Sequence, residues 1–245
     1  MKKESLQLDN IDMKENNLKI SQAIILILIY IGANVISVLP IFFLNLQITN
    51  ESIYKYTALF NILAQFIAIV FVLLYIKKAK INIFNRKRLS MKWKYPVIAI
   101  QALLTLTLPS IILSIFNNVD SSGAVTTTNQ DTLAKVTENT NVIALFFMVV
   151  IFAPIIEEIL FRGIPLLLKS KQDSKNAKIW LLVRLMISAI IFGSLHSPSN
   201  LIELFAYSSS GFVLGLSVIY TNRLETSIGI HALNNLIGFI GLLSL

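Results

Sequence analysis

The chain is predicted to be an all-α, polytopic integral membrane protein of about seven transmembrane helices, with a range of six to eight. Three observations predict this. Of its 245 residues 55% are hydrophobic and only 14% are charged, whereas soluble domains carry roughly 25% charged residues. Mean hydropathy is +0.72. Seven apolar stretches approach the roughly 20 residues that cross a hydrocarbon core about 30 Å thick, at about 20–45, 57–76, 95–116, 142–168, 178–196, 201–220 and 227–245.

In chain order, residues 1–19 are polar and balanced, with four lysines against Glu4, Asp9, Asp12 and Glu15, and form an N-terminal segment expected in the cytoplasm. The apolar run that follows is too long for a cleaved signal peptide, so the first helix is expected to stay. Residues 20–245 then form one integral membrane domain with no fixed-period repeat. The net charge of +8 follows topology. Four lysines lie in residues 1–19, eight Lys/Arg from Lys77 to Lys94, four from Lys169 to Lys178, and then Arg223, together 17 of 21. All fall on one side if the N-terminus is inside. The basic loop 77–94 therefore reads as a lipid-headgroup anchor rather than a nucleic-acid site. Segment 117–141, rich in Thr, Asn and Ser, is expected outside and mobile because it has little apolar surface to bury.

The spans differ in what they carry. The first three hold neutral polar residues such as Asn34, Asn61, Gln65 and Gln101, whereas the last four hold Glu157, Glu158, Arg162, Arg184, His196, Glu203 and His231. Ionisable groups inside membrane helices mark function, so the C-terminal half is where chemistry is expected. With no cysteine in the chain, thiol nucleophiles, thiolate metal sites and disulfides are excluded.

The most informative stretch is "APIIEEILFRGIP", residues 153–165. Residues four apart share a helix face, so Glu158 and Arg162 are expected to pair, which lowers the penalty for burying both. Glu157 is rotated by about 100° from its neighbour and is left unpaired. Pro154 is expected to free the carbonyl of Val150 and kink the helix. The same four-residue spacing joins Phe192 to His196 and His231 to Asn235. One carboxylate, two imidazoles and one carboxamide could thus converge from three helices. A carboxylate with a histidine takes a proton from water, while a histidine and an asparagine donate to an oxyanion. Equally, Glu157, His196 and His231 are a His/His/Glu set of the kind that holds catalytic zinc.

One geometric conflict accompanies this set. Counted along straight helices, His231 is shallow, Glu157 at mid-depth and His196 deepest, so tilt, a kink or different helix ends must reconcile them. Glu203 is expected at the interface and Arg184 is expected to snorkel to the headgroups. Gly211 and Gly215, following Ser208, Ser209 and Ser210, are read as close helix packing.

In the motifs Glu157-Glu158-Ile-Leu-Phe-Arg162, Phe192-Gly-Ser-Leu-His196 and His231-Ala-Leu-Asn-Asn235, the chain resembles the CPBP intramembrane proteases, also called the Abi or CAAX-protease family. That family includes CAAX prenyl endopeptidases and bacteriocin-processing or self-immunity proteins. The resemblance covers about residues 140–245, the last four helices. It implies a membrane endopeptidase in which Glu157 and His196 activate water, His231 and Asn235 stabilise the oxyanion, and Glu158 with Arg162 braces the site. It leaves open whether the mechanism is of glutamate or zinc type. The implied partners are the lipid bilayer and a peptide or membrane-protein substrate, with no nucleic acid.

Two other classes stand beside this reading. A non-enzymatic immunity or regulatory protein would bind a peptide or partner in the same cavity, and a transporter would use the same groups as an ion path. Clustering of the ionisable residues in one half disfavours the transporter. A composition rich in Ile, Lys and Asn points to a bacterial cell membrane, with maturation of, or immunity to, a peptide pheromone or bacteriocin as the family-level role.

Overall fold

The computed structural model describes residues 18–44, 50–81, 95–116, 127, 130, 133, 141–167, 177–221 and 223–243. Residues 1–17, most of the basic loop and most of segment 117–141 lie outside the described residues. Helices α1 (Ile20–Leu44), α2 (Asn50–Lys78) and α3 (Tyr95–Phe116) precede a compound helix, α4, and are followed by α5 (Ala177–Ser194), α6 (Leu201–Thr221) and α7 (Leu224–Leu243). Helix α4 alternates α and π turns through Val142–Phe146, Phe147–Phe152 (π), Ala153–Glu158, Ile159–Gly163 (π) and Ile164–Leu167. Among the described residues the seven helices match the expected all-α membrane class; five are long and apolar enough to span a bilayer, and the apolar parts Ile20–Ala33 of α1 and Ile179–Ser194 of α5 are shorter.

Helix α1 packs along α2, which lies on α4, while α5 and α3 both pack along α6, and α7 touches α3, α4 and α6. Leu26, Val72, Ile156, Ile159, Leu185 and Leu224 are among the residues of the largest buried cluster, which places α4 at the centre. Polarity is inverted relative to a soluble protein. Arg162, Glu158, Ser217, Thr221 and Ser227 are buried, whereas Leu63, Phe66, Phe71, Leu74, Met186 and Ile190 are exposed, the arrangement expected when the solvent is hydrocarbon. This is a multi-pass membrane protein.

Prolines interrupt backbone bonding inside these helices. In α-helical register Pro109 frees the carbonyl of Thr105, and Ser210 Oγ from α6 donates to it at 3.4 Å. In the second π segment Ile164 N–H bonds Ile159 O, a register that opposes Pro165 to Leu160, and the neighbouring Phe161 O accepts from Ser188 Oγ of α5 at 2.5 Å. In the first π segment Ala153 N–H bonds Met148 O, five residues back. The same register, one residue on, opposes Pro154 to Val149 rather than to Val150, and Val149 O accepts from Asn235 Nδ2 of α7 at 2.9 Å. The expectation that Pro154 frees Val150 is therefore corrected, because the π turn shifts the register by one residue.

Helix α5 ends earlier than expected. Ser194 is its last residue, Ser197 adopts φ 50°, and Pro198 follows, so the chain turns after the helix as left-handed C-terminal caps do. His196 thus sits in a turn. Glu203, expected at the interface, is buried at 4% exposure, where it accepts from Ser199 N–H and Ser199 Oγ, both at 3.0 Å. These bonds form beside the Asn200 cap, whose Oδ1 accepts from the N–H groups of Ile202 and Glu203. Glu203 therefore stabilises the start of α6. Arg184 Nε donates to Trp180 O at 3.3 Å, back along its own helix.

Close packing of α5 on α6 depends on glycine. A Cβ at Gly193 would lie against Ser208 Oγ, 2.9 Å from Ser208 N and 3.0 Å from Leu204 O; one at Gly215 would meet Leu185 Cδ2 at 3.2 Å; around Gly238 there is open space. Gly193→Ala is expected to lower stability by about 1–3 kcal/mol, and Gly238→Ala to leave it unchanged or raise it. Thermal unfolding of the purified protein in detergent compares the two.

Candidate active site

The α turn Ala153–Glu158 sets Glu157 and Glu158 in different directions, as the sequence predicts. Ile156 and Ile159 on either side are 2% and 0% exposed, which fixes the helix rotation. Glu158 is fully buried and Arg162 nearly so, and Arg162 NH1 bonds Glu158 Oε1 at 2.6 Å. The guanidinium is held on two more sides. Its NH2 donates to Gly211 O at 3.0 Å, and its Cζ lies 4.3 Å from the centre of the Phe192 ring, a cation–π contact. A Cβ at Gly211 would meet Phe192 Cδ1 at 3.0 Å and Arg162 NH2 at 3.2 Å. The small residue in "SSSG" therefore admits the cation as well as a neighbouring helix.

Glu158 does more than brace Arg162. His231 Nδ1 lies 2.8 Å from Glu158 Oε1, and Ser227 Oγ donates to Glu158 Oε2. Ser227 stands one turn before His231 on α7 and is buried. A carboxylate only accepts, so His231 bears its proton on Nδ1 and leaves Nε2 as the lone-pair nitrogen. That nitrogen is 3.9 Å from Glu157 Oε2. Glu157 is 21% exposed where Glu158 is sealed, so the two adjacent carboxylates occupy different environments.

His196 completes the group from another side. Its Nδ1 lies 2.8 Å from Phe192 O; the carbonyl only accepts, so here too Nδ1 carries the hydrogen and Nε2 the lone pair. The ring stacks on Tyr207 at 4.8 Å and 21° and packs on Phe192 at 4.5 Å. Phe192 also meets His231 edge-on at 5.6 Å, so one aromatic ring touches both histidines and the arginine. Tyr207 OH in turn lies 2.6 Å from Thr127 Oγ1. Thr127 is 1% exposed, so this residue of the segment expected to be mobile is packed against the helices.

The structure thus gathers Glu157, Glu158, Arg162 and His231 closely, with His196 joined through Phe192. Glu157 and His231 meet despite the different depths counted along straight helices, and His196 lies in the turn after α5. His196 does not come within ion-pair distance of Glu157. Asn235 engages the backbone of α4 through Val149. Among the described residues no three His, Asp or Glu side chains group to hold a metal ion. The Glu157, His196 and His231 zinc set is not assembled in this arrangement. Ser227, Gly211, Tyr207 and Thr127 were not singled out for the site from sequence. Only Ser227 left a signal, its four-residue spacing to His231.

The bundle of apolar helices thus buries a carboxylate, an arginine and a histidine beside a second, accessible carboxylate. Residues 139–237 match the family described as Rce1-like, type II CAAX prenyl endopeptidase Rce1-like. The matched segment contains all three motifs and covers less than half of the chain. No curated protein and no solved structure matches the chain.

Breaking the buried pair from one side strands a charge, at a cost of about 3–5 kcal/mol. Arg162→Met is expected to lower the unfolding midpoint sharply, and adding Glu158→Gln in the same chain to restore part of the loss. Thermal unfolding of both variants in detergent measures this.

Proposed function

We propose that the chain is an endopeptidase of the cell membrane that hydrolyses a peptide bond with a water held between Glu157 and His231. The observation that carries this reading is the 3.9 Å separation of Glu157 Oε2 from the lone-pair nitrogen His231 Nε2. Two acceptors that far apart are too distant to bond one another and are spaced to receive both hydrogens of one water at ~2.8 Å each. The oxygen lone pairs of that water then face outward toward a substrate carbonyl.

The reaction follows with its protons accounted for. Glu157 takes one proton as the water oxygen bonds the carbonyl carbon, and the carbonyl electrons move onto oxygen. Glu158 holds His231 in the tautomer that accepts the second hydrogen, the part an aspartate plays in a serine-protease triad. Glu157 then returns its proton to the amine nitrogen as the C–N bond breaks. Relative to the family resemblance, His231 is exchanged for His196 as the histidine that acts with Glu157. The proximity of His231 to Glu157 supports that exchange.

The positions of Lys and Arg support a cytoplasmic N-terminus, and the composition supports a bacterial source. The substrate is a peptide or membrane-protein segment, and the cellular role we favour is maturation of, or immunity to, a secreted peptide, or CAAX-type processing.

Glu157→Gln is expected to lower kcat by about 10²–10⁴ with the unfolding midpoint unchanged, because Glu157 lies outside the buried network. A metal chelator is expected to leave the rate unaltered. Cleavage of a membrane peptide library by purified protein, with products read by mass spectrometry, checks both. Unimpaired cleavage by Glu157→Gln contradicts the reading, and zinc-reversible loss on chelation contradicts the metal-free step.

A further inference from the structure

We infer that Asn235 is a positioning residue that holds the proline-interrupted turn of α4, and through it Glu157, in register against His231. The kinetic part of this inference rests on the endopeptidase reading; the structural part does not.

In the first π segment the backbone bond runs from Ala153 N–H to Met148 O. The next bond in that register would join residue 154 to Val149 O, and Pro154 has no hydrogen to give. Inside a bilayer a carbonyl without a partner carries a large penalty. Asn235 Nδ2 meets it at 2.9 Å. The carbonyl only accepts, so the nitrogen of the carboxamide must face Val149. Its oxygen accepts from Asn234 Nδ2 at 3.4 Å, which favours the same orientation of the amide.

The consequence reaches Glu157 through geometry. His231 and Asn235 are one turn apart on the same face of α7. His231 grips Glu158 at 2.8 Å and Asn235 grips Val149, nine residues earlier on α4. Two grips on one helix by one face of another set both its rotation and its depth. Glu157 lies between them in sequence, and its carboxylate stands 3.9 Å from His231 Nε2. Losing the second grip leaves α4 free to turn about the first. The same device operates at Pro109, with Ser210 on Thr105 O.

The test is a double-mutant cycle on the full chain in detergent, reading the unfolding midpoint together with kcat and KM for a cleaved peptide. Asn235→Ala is expected to lower the midpoint by about 2–4 °C and kcat on the order of 100-fold, with KM less affected. Pro154→Ala restores an N–H opposite Val149. In that background Asn235→Ala is expected to lose much less, in midpoint and in kcat. If the two substitutions add in the midpoint, without coupling, the inference is overturned. If they couple in the midpoint while kcat of the double variant stays as low as that of Asn235→Ala, Asn235 acts directly on the oxyanion, and its positioning of Glu157 is overturned. A wild-type protein without peptidase activity would refute the proposed function, while the midpoint cycle would still decide the grip on Val149. Should Pro154→Ala not accumulate, Asn235→Thr and Asn235→Val decide instead. They have the same shape, and only Thr donates, so a higher midpoint for Thr supports the grip and equal midpoints overturn it.

Discussion

The buried carboxylate of Glu158 is the group on which the rest of the site depends. An unsatisfied carboxylate in a low-dielectric interior is prohibitively costly, and Glu158 is satisfied by donors on two helices: Arg162 on its own helix, Ser227 and His231 on α7. Arg162 then extends the network to α6 through Gly211 O and to α5 through the face of Phe192. Four helices therefore meet around one anion. The same bonds that settle its charge also determine which nitrogen of His231 bears the hydrogen. Stability and the geometry of the proposed site here have a single origin.

That economy explains why adjacent, chemically identical residues part ways. Glu158 is committed on both oxygens and cannot act as a base without dismantling the helix contacts. Glu157, partly accessible and 3.9 Å from His231 Nε2, has no such commitment. The backbone follows a similar logic. Helix-interior prolines at 109 and 154 each free a carbonyl in a medium that offers no water, and each of these carbonyls is met by a side chain from another helix. Local breaks in helical bonding have become points of attachment between helices.

Much of this was legible in the sequence because it is written in spacing. The all-α class, the number of helices, the Glu158–Arg162 pair and the separation of Glu157 from it all follow from hydropathy and a 3.6-residue turn. What escaped was backbone register and three-dimensional neighbourhood. A π turn has no sequence signature here, so Val149 could not be told from Val150 as the carbonyl opposite Pro154. Ser227 stands four residues before His231, but serine in a membrane helix commonly bonds its own backbone, as Ser217 does to Leu214 O. Glu203 looked interfacial because its position near a helix end was visible and its bonds to Ser199 were not. His196 was assigned to a helix that stops two residues sooner, where Ser197 turns left-handed ahead of Pro198.

The central claim is that buried Glu158 fixes the tautomer of His231 and so leaves Nε2 free to accept a hydrogen bond next to Glu157. The most direct test is ¹⁵N NMR of histidine-labelled protein in detergent or bilayers, with His196 and His231 assigned by substituting each in turn. The account predicts a protonated Nδ1 and a lone-pair Nε2 for His231 at neutral pH, and loss of that preference in Glu158→Gln. A His231 protonated on Nε2, or one whose tautomer is indifferent to Glu158, would contradict it.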